Sequence, residues 1–91
     1  MKGEVVTLVT IMGEVVGRLK EEDDQGFVVE SPRLFVPSGE GAQGGFAPGV
    51  SMTGLQDLKE AHFNRGVVLT VIPSHEVIEK SWIEITSGLI V

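Results

Sequence analysis

Two apolar, β-branched runs meet at a single glycine near the start of this chain, and that junction limits the fold more than any other feature. Val5-Val6-Thr7-Leu8-Val9-Thr10-Ile11-Met12 ends at Gly13, and a second run, Glu14 to Glu22, follows with almost no connecting residues. Branching at Cβ suits a pleated strand better than the crowded turns of a helix. A connection this short predicts a tight hairpin, with Gly13 supplying the positive φ that such a turn requires. Gly17 falls inside the second run, where a missing side chain marks a bend or bulge. Val, Ile and Thr make up 25 of the 91 residues, so the expected fold class is mainly β.

Further along, Glu21, Glu22, Asp23 and Asp24 meet Gln25-Gly26 before a new apolar run opens at Phe27-Val28-Val29. This predicts a second hairpin with a solvated acidic turn; the spacing does not match the alternating ligands of an EF-hand loop. Between Pro37 and Gly54 lie six of the twelve glycines, which predicts a long loop that costs little closure entropy. Leu55, Leu58, Ala61 and His62 at helical spacing predict a short helical turn near 55–59, and Val67 to Ile72 predicts a strand. The last stretch, 73–91, fits neither period cleanly, although Ser74 beside Pro73 is a candidate cap favouring helix over 75–81.

Ninety-one residues make one domain with a small core. Without cysteine there is neither a disulfide framework nor a thiolate metal site, and a reducing compartment fits best. The stretch after Lys2 is too short, and interrupted by Glu4, to act as a secretion signal. No run approaches the ~20 residues of a spanning helix, so a cytoplasmic protein without membrane contact is expected. A net charge of −6 argues against a protein-wide basic footprint for nucleic acid, so any such binding must be local. The runs at 5–12 and 67–72 are apolar on both faces, yet a small barrel has one interior to fill. Their outward side chains therefore call for cover by self-association.

Catalytic signals fail on context. Gly39-Glu40-Gly41-Ala42-Gln43-Gly44 satisfies G-x-G-x-x-G, but Pro48 stands close behind it where a helix should receive a pyrophosphate, and the chain is too short for a doubly wound sheet. His62 and His75 lack partners at ligand spacing, and none of the serines sits in a nucleophile elbow. The expectation is no enzyme, no cofactor, no metal and no small-molecule substrate.

Ile11-Met12-Gly13, Gly17-Arg18-Leu19, Asp23 and Phe27-Val28-Val29 together resemble the first signature of the Sm-like (LSm, Hfq-related) family. Arg65-Gly66, trailed by Leu69 and Ile72, is similar to its second. The resemblance covers about residues 5–72, with the loop at 37–54 falling where the family varies in length and 73–91 left as a C-terminal extension. It implies one Sm-like domain over 1–91: a small, strongly bent five-stranded barrel, assembled by edge-strand pairing into a homo-oligomeric ring of roughly five to seven subunits.

For function, the resemblance implies single-stranded RNA held near the pore, with Arg65 and Gly66 of every subunit forming a positive collar. Asp23 would orient the Arg65 loop. The base-binding asparagine of the family falls on Phe27 and its stacking position on Gln25, while Asn64 is the available substitute amide. The acidity supports an alternative: a ring-forming structural or adaptor protein, such as serves in a phage or mobile-element assembly, that contacts other proteins and has lost RNA binding.

Overall fold

Gly13 adopts φ +134° and folds strand β1 (Val5–Thr10) back on β2 (Gly13–Glu22), in register from Val5 opposite Arg18 to Thr10 opposite Gly13. Thr10 locks the turn: its hydroxyl donates to the Gly13 carbonyl at 2.7 Å and accepts the Met12 N–H at 3.1 Å. The computed structural model of the chain describes residues 1–37 and 44–87. Residues 38–43 of the glycine-rich stretch, including Gly39 and Gly41, therefore lie outside the described residues.

β2 pairs with β3 (Gly26–Val36), and the register slips between Val16 and Arg18 and again between Leu19 and Glu21. The first slip falls on Gly17, where a Cβ would overlap the Val29 side chain and lie 2.8 Å from the Glu30 carbonyl oxygen. Only glycine lets the strands approach so closely, and the bulge bends the sheet there. β3 is itself divided at Ser31, whose φ of +48° is left-handed. Its first half pairs with β5 (Glu60–Asn64) and its second with β4 (Gly45–Phe46). A 3-10 turn, Arg65–Val67, then carries the chain to β6 (Val68–Pro73), which pairs with β1.

The result is a six-stranded antiparallel sheet in the order β4-β3-β2-β1-β6, with β5 also on β3. This corrects the five-stranded closed barrel. β5 and β6 are joined by the 3-10 turn, pair with β3 and β1 respectively, and do not pair with each other, so the ladder stays open. The sheet still curls strongly. Phe63 of β5 and Val71 of β6, from its two ends, pack on one core of Val6, Leu8, Val15, Leu19, Phe27 and Val29.

Two local expectations are also corrected. No helical turn forms at 55–59, because Asp57 sits at φ +54° and Gln56 bonds backward to the carbonyls of Ser51 and Gly54. The extension folds as helix α1 (Glu76–Thr86), capped by His75 Nδ1, which accepts the Val77 N–H at 3.3 Å. Ser74 instead shares a 2.8 Å hydrogen bond with the Thr7 hydroxyl. α1 lies on the outer face of the sheet, where Trp82 and Ile78 pack with Val5, Val16 and Phe46. Trp82 is 4% exposed and donates its indole N–H to the Ser31 carbonyl at 2.9 Å. Cover for the outward residues of β1 and β2 thus comes from the same chain, while Leu69 and Ile72 of β6 remain exposed. Among the described residues no helix is long and apolar enough to cross a membrane.

Candidate nucleic-acid interface

The acidic turn between β2 and β3 is closed by its own aspartate. Asp23 Oδ1 accepts the Gln25 N–H at 2.8 Å and the Gly26 N–H at 3.0 Å, and the Asp23 N–H donates to the Gly26 carbonyl at 2.9 Å. Those two backbone donors hold the Asp23 carboxyl below its ordinary value, with smaller effects of the same sign from His62 and Arg65.

Gly26 lies opposite Asn64 on β5. A Cβ on Gly26 would overlap the Phe63 carbonyl oxygen, so glycine is what brings the start of β3 against the end of β5. The Arg65 N–H then donates to the Gln25 carbonyl at 2.8 Å, fastening the 3-10 turn to the acidic turn. Asn64 caps that 3-10 turn, its Oδ1 accepting the Gly66 N–H at 2.9 Å.

Arg65 folds over this junction. Its guanidinium carbon stands 4.7 Å from the centroid of the Phe27 ring, and Nη2 donates to the Asp23 carbonyl at 2.6 Å and to Glu22 Oε2 at 3.1 Å. Arg65 and Glu22 are each about half exposed, at 46% and 49%. A cavity of about 270 Å³ opens beside them, lined by Met1, Glu22, Phe27, Arg65, Val68 and Leu69 among others.

All six residues singled out in the sequence meet here, in roles partly different from those expected. Arg65 is the exposed cation. Phe27 belongs to the core at 5% exposure and serves as the platform beneath the guanidinium rather than as a base contact. The Asp23 side chain shapes its own turn; its carbonyl, not its carboxylate, receives Arg65. Asn64 uses its side-chain oxygen as a cap, and Gln25 is tied through its backbone. Glu22 is the residue that the sequence does not single out: there it is one member of a solvated cluster, and its spacing from Arg65 becomes meaningful only when β3 and β5 pair. Among the described residues no three metal-ligating side chains converge.

No protein-family model matches the chain, and neither the curated proteins nor the solved structures give a significant match.

Proposed function

We propose that this chain is a subunit of an Sm-like homo-oligomeric ring that holds single-stranded RNA beside its hole, with Arg65 as the principal contact. The observation that carries this reading is the convergence of the two motif blocks, Arg65 reaching a carbonyl 42 positions away while stacked on Phe27. A guanidinium fixed on one face by an aromatic ring offers its other face to a base and its edge to base or phosphate acceptors. Glu22 is no lasting obstacle, since an ion pair this exposed contributes about 0–1 kcal/mol and yields readily to a competing anion.

The ring draws support from the open ladder. Among the described residues β5 and β6 each leave one edge unpaired, and Leu69 of β6 is 67% exposed. Free edges of this kind invite pairing with another chain. Pairing β5 of one copy with β6 of the next is heterologous, so a closing rotation yields a ring. Because the Arg65 turn joins these two strands, every copy would bring its arginine to the same circle.

A second reading, a structural or adaptor ring contacting proteins without RNA, is favoured by Glu22 already holding Arg65 and by −6 charges per copy. Titration of labelled oligo(U) and oligo(A) with wild type and Arg65→Ala separates the two. The RNA reading expects saturable binding at low salt, a loss of about tenfold or more in the variant, and a log–log salt slope near −0.7 per phosphate neutralised. Absent binding, or binding indifferent to Arg65, overturns it in favour of the adaptor.

A further inference from the structure

The Arg65 site sets a cation edge beside a carboxylate, and neither is fully used. Arg65 Nη2 is engaged by the Asp23 carbonyl and by Glu22 Oε2, whereas Arg65 Nη1 and Glu22 Oε1 have no hydrogen-bond partner among the described residues. Both side chains line the cavity of about 270 Å³, together with the apolar Met1, Val68, Leu69 and Val71. Glu22 stands opposite Phe27 in the β2–β3 register, and the Phe27 ring carries Arg65. One strand pair therefore places carboxylate and guanidinium side by side.

We infer that this pair reads guanine, Glu22 accepting N1–H and N2–H of the base while Arg65 Nη1 donates to O6. The inference rests on the RNA reading and names the base that the site selects. In this arrangement the ion pair stays intact, and the base lies in the plane of the guanidinium against the apolar side chains of the cavity. A carboxylate followed by a guanidinium offers two acceptors and then a donor. The complement is an edge with two adjacent donors and then an acceptor, which guanine alone presents. Uracil has a single donor between two carbonyls, so one carboxylate oxygen would face a carbonyl. Adenine offers one donor beside a ring acceptor, and cytosine one donor followed by two acceptors.

The surrounding charge favours a base edge over the RNA backbone. Glu21, Asp23 and Asp24 adjoin Glu22 in the acidic turn. Four consecutive carboxylates repel a phosphate, whereas N–H groups donate to ionised oxygens in short, strong hydrogen bonds. Glu22 thus has two relations to RNA: a phosphate competes with it for Arg65, and a guanine uses both groups together.

Fluorescence-anisotropy titration tests the reading. The probes are labelled oligo(U) strands with a central uridine, guanosine, adenosine or inosine, and the proteins are wild type, Glu22→Gln and Glu22→Ala. Wild type is expected to bind the guanosine strand about tenfold more tightly than the uridine or adenosine strand. Inosine keeps N1–H and O6 but lacks the 2-amino group, so its strand falls between them. Glu22→Gln exchanges one acceptor for a donor, the pattern that an amide uses on adenine. This variant is expected to bind the adenosine strand more tightly than the guanosine strand, a reversal that lost charge or lost stability does not produce. Glu22→Ala loses the guanosine preference and gains none. Circular dichroism establishes that each variant is folded.

Wild type binding all four strands alike, or a guanosine preference that survives both substitutions, overturns the inference and leaves the RNA reading standing. Absence of binding to any strand removes both. GMP, titrated as competitor, separates the sources of the base. Displacement only far above the Kd of the guanosine strand supports guanine within RNA; displacement near that Kd, dependent on Glu22, supports the guanine edge and assigns the site to a free nucleotide.

Discussion

Replacing Gly26 with alanine probes the junction on which the Arg65 site depends. The new methyl group would overlap the Phe63 carbonyl oxygen and lie 3.0 Å from its carbon and 3.1 Å from the Arg65 nitrogen. All three are backbone atoms, so no rotamer change relieves the overlap, and β5 must move away from β3. Overpacking of this kind costs about 1–3 kcal/mol. Loss of the Arg65 N–H to Gln25 carbonyl bond adds about 0.5–1.5 kcal/mol. Against the roughly 5–14 kcal/mol total stability of a domain this size, a loss of about 2–4 kcal/mol lowers the urea midpoint by about 1–2 M. The assay is urea unfolding followed by Trp82 fluorescence and circular dichroism, with Gly45→Ala as control. A methyl group on Gly45 would meet nothing within 4 Å, so the control stays within about 0.5 kcal/mol of wild type. A Gly26→Ala midpoint within about 0.3 M of wild type would show that β3 and β5 are not held in this approach, and the account of the Arg65 site would fail with it.

Three other perturbations test separate parts of the structure. Trp82→Ala removes the buried contact between α1 and the sheet at a cost of about 3–5 kcal/mol, which for a domain of this size lowers Tm by at least about 12 °C; a fall of only a few degrees would mean that α1 does not cover this face. The Asp23 carboxyl, followed by carboxyl-carbon NMR, titrates below the ordinary carboxylate value. Its folded pKa being depressed, its stabilising contribution is present above the unfolded value near ~3.9 and is lost as pH falls through the folded one; an ordinary midpoint contradicts the turn geometry. Glu22→Gln frees Arg65, raising oligo(U) affinity severalfold while changing stability by less than about 1 kcal/mol, and unchanged affinity would refute competition between Glu22 and RNA.

Features governed by local sterics were legible in the sequence. Gly13 and Gly17 announced a hairpin and a bulge because no other residue tolerates the positive φ of the one or the close approach of the other. Arg65-Gly66 and the Asp23 turn were legible as candidate site residues, although their meeting depends on β3 and β5 pairing. What escaped depends on partners distant in the chain. Ala61 and Phe63 face inward at alternate positions of β5, a short pattern that helical spacing through Leu55, Leu58 and Ala61 obscured. The left-handed Ser31 is held where its carbonyl meets Trp82, 51 positions away, and where its N–H meets the Lys59 carbonyl. Trp82 itself belongs to a segment of mixed periodicity, and only the outer face of β1 and β2 decides that it is helical. The outward side chain of Val5, in the first of the two runs expected to be covered by neighbouring copies, is covered by the chain's own extension, whereas Leu69 and Ile72 of the second run stay exposed.

Native mass spectrometry of the freshly purified protein, with no oligonucleotide added, tests the central claim most directly. The account predicts one closed stoichiometry of roughly five to seven copies. A population made up of monomers, or a ladder of masses without a preferred closed size, would contradict the pairing of β5 with β6 and remove the arginine collar.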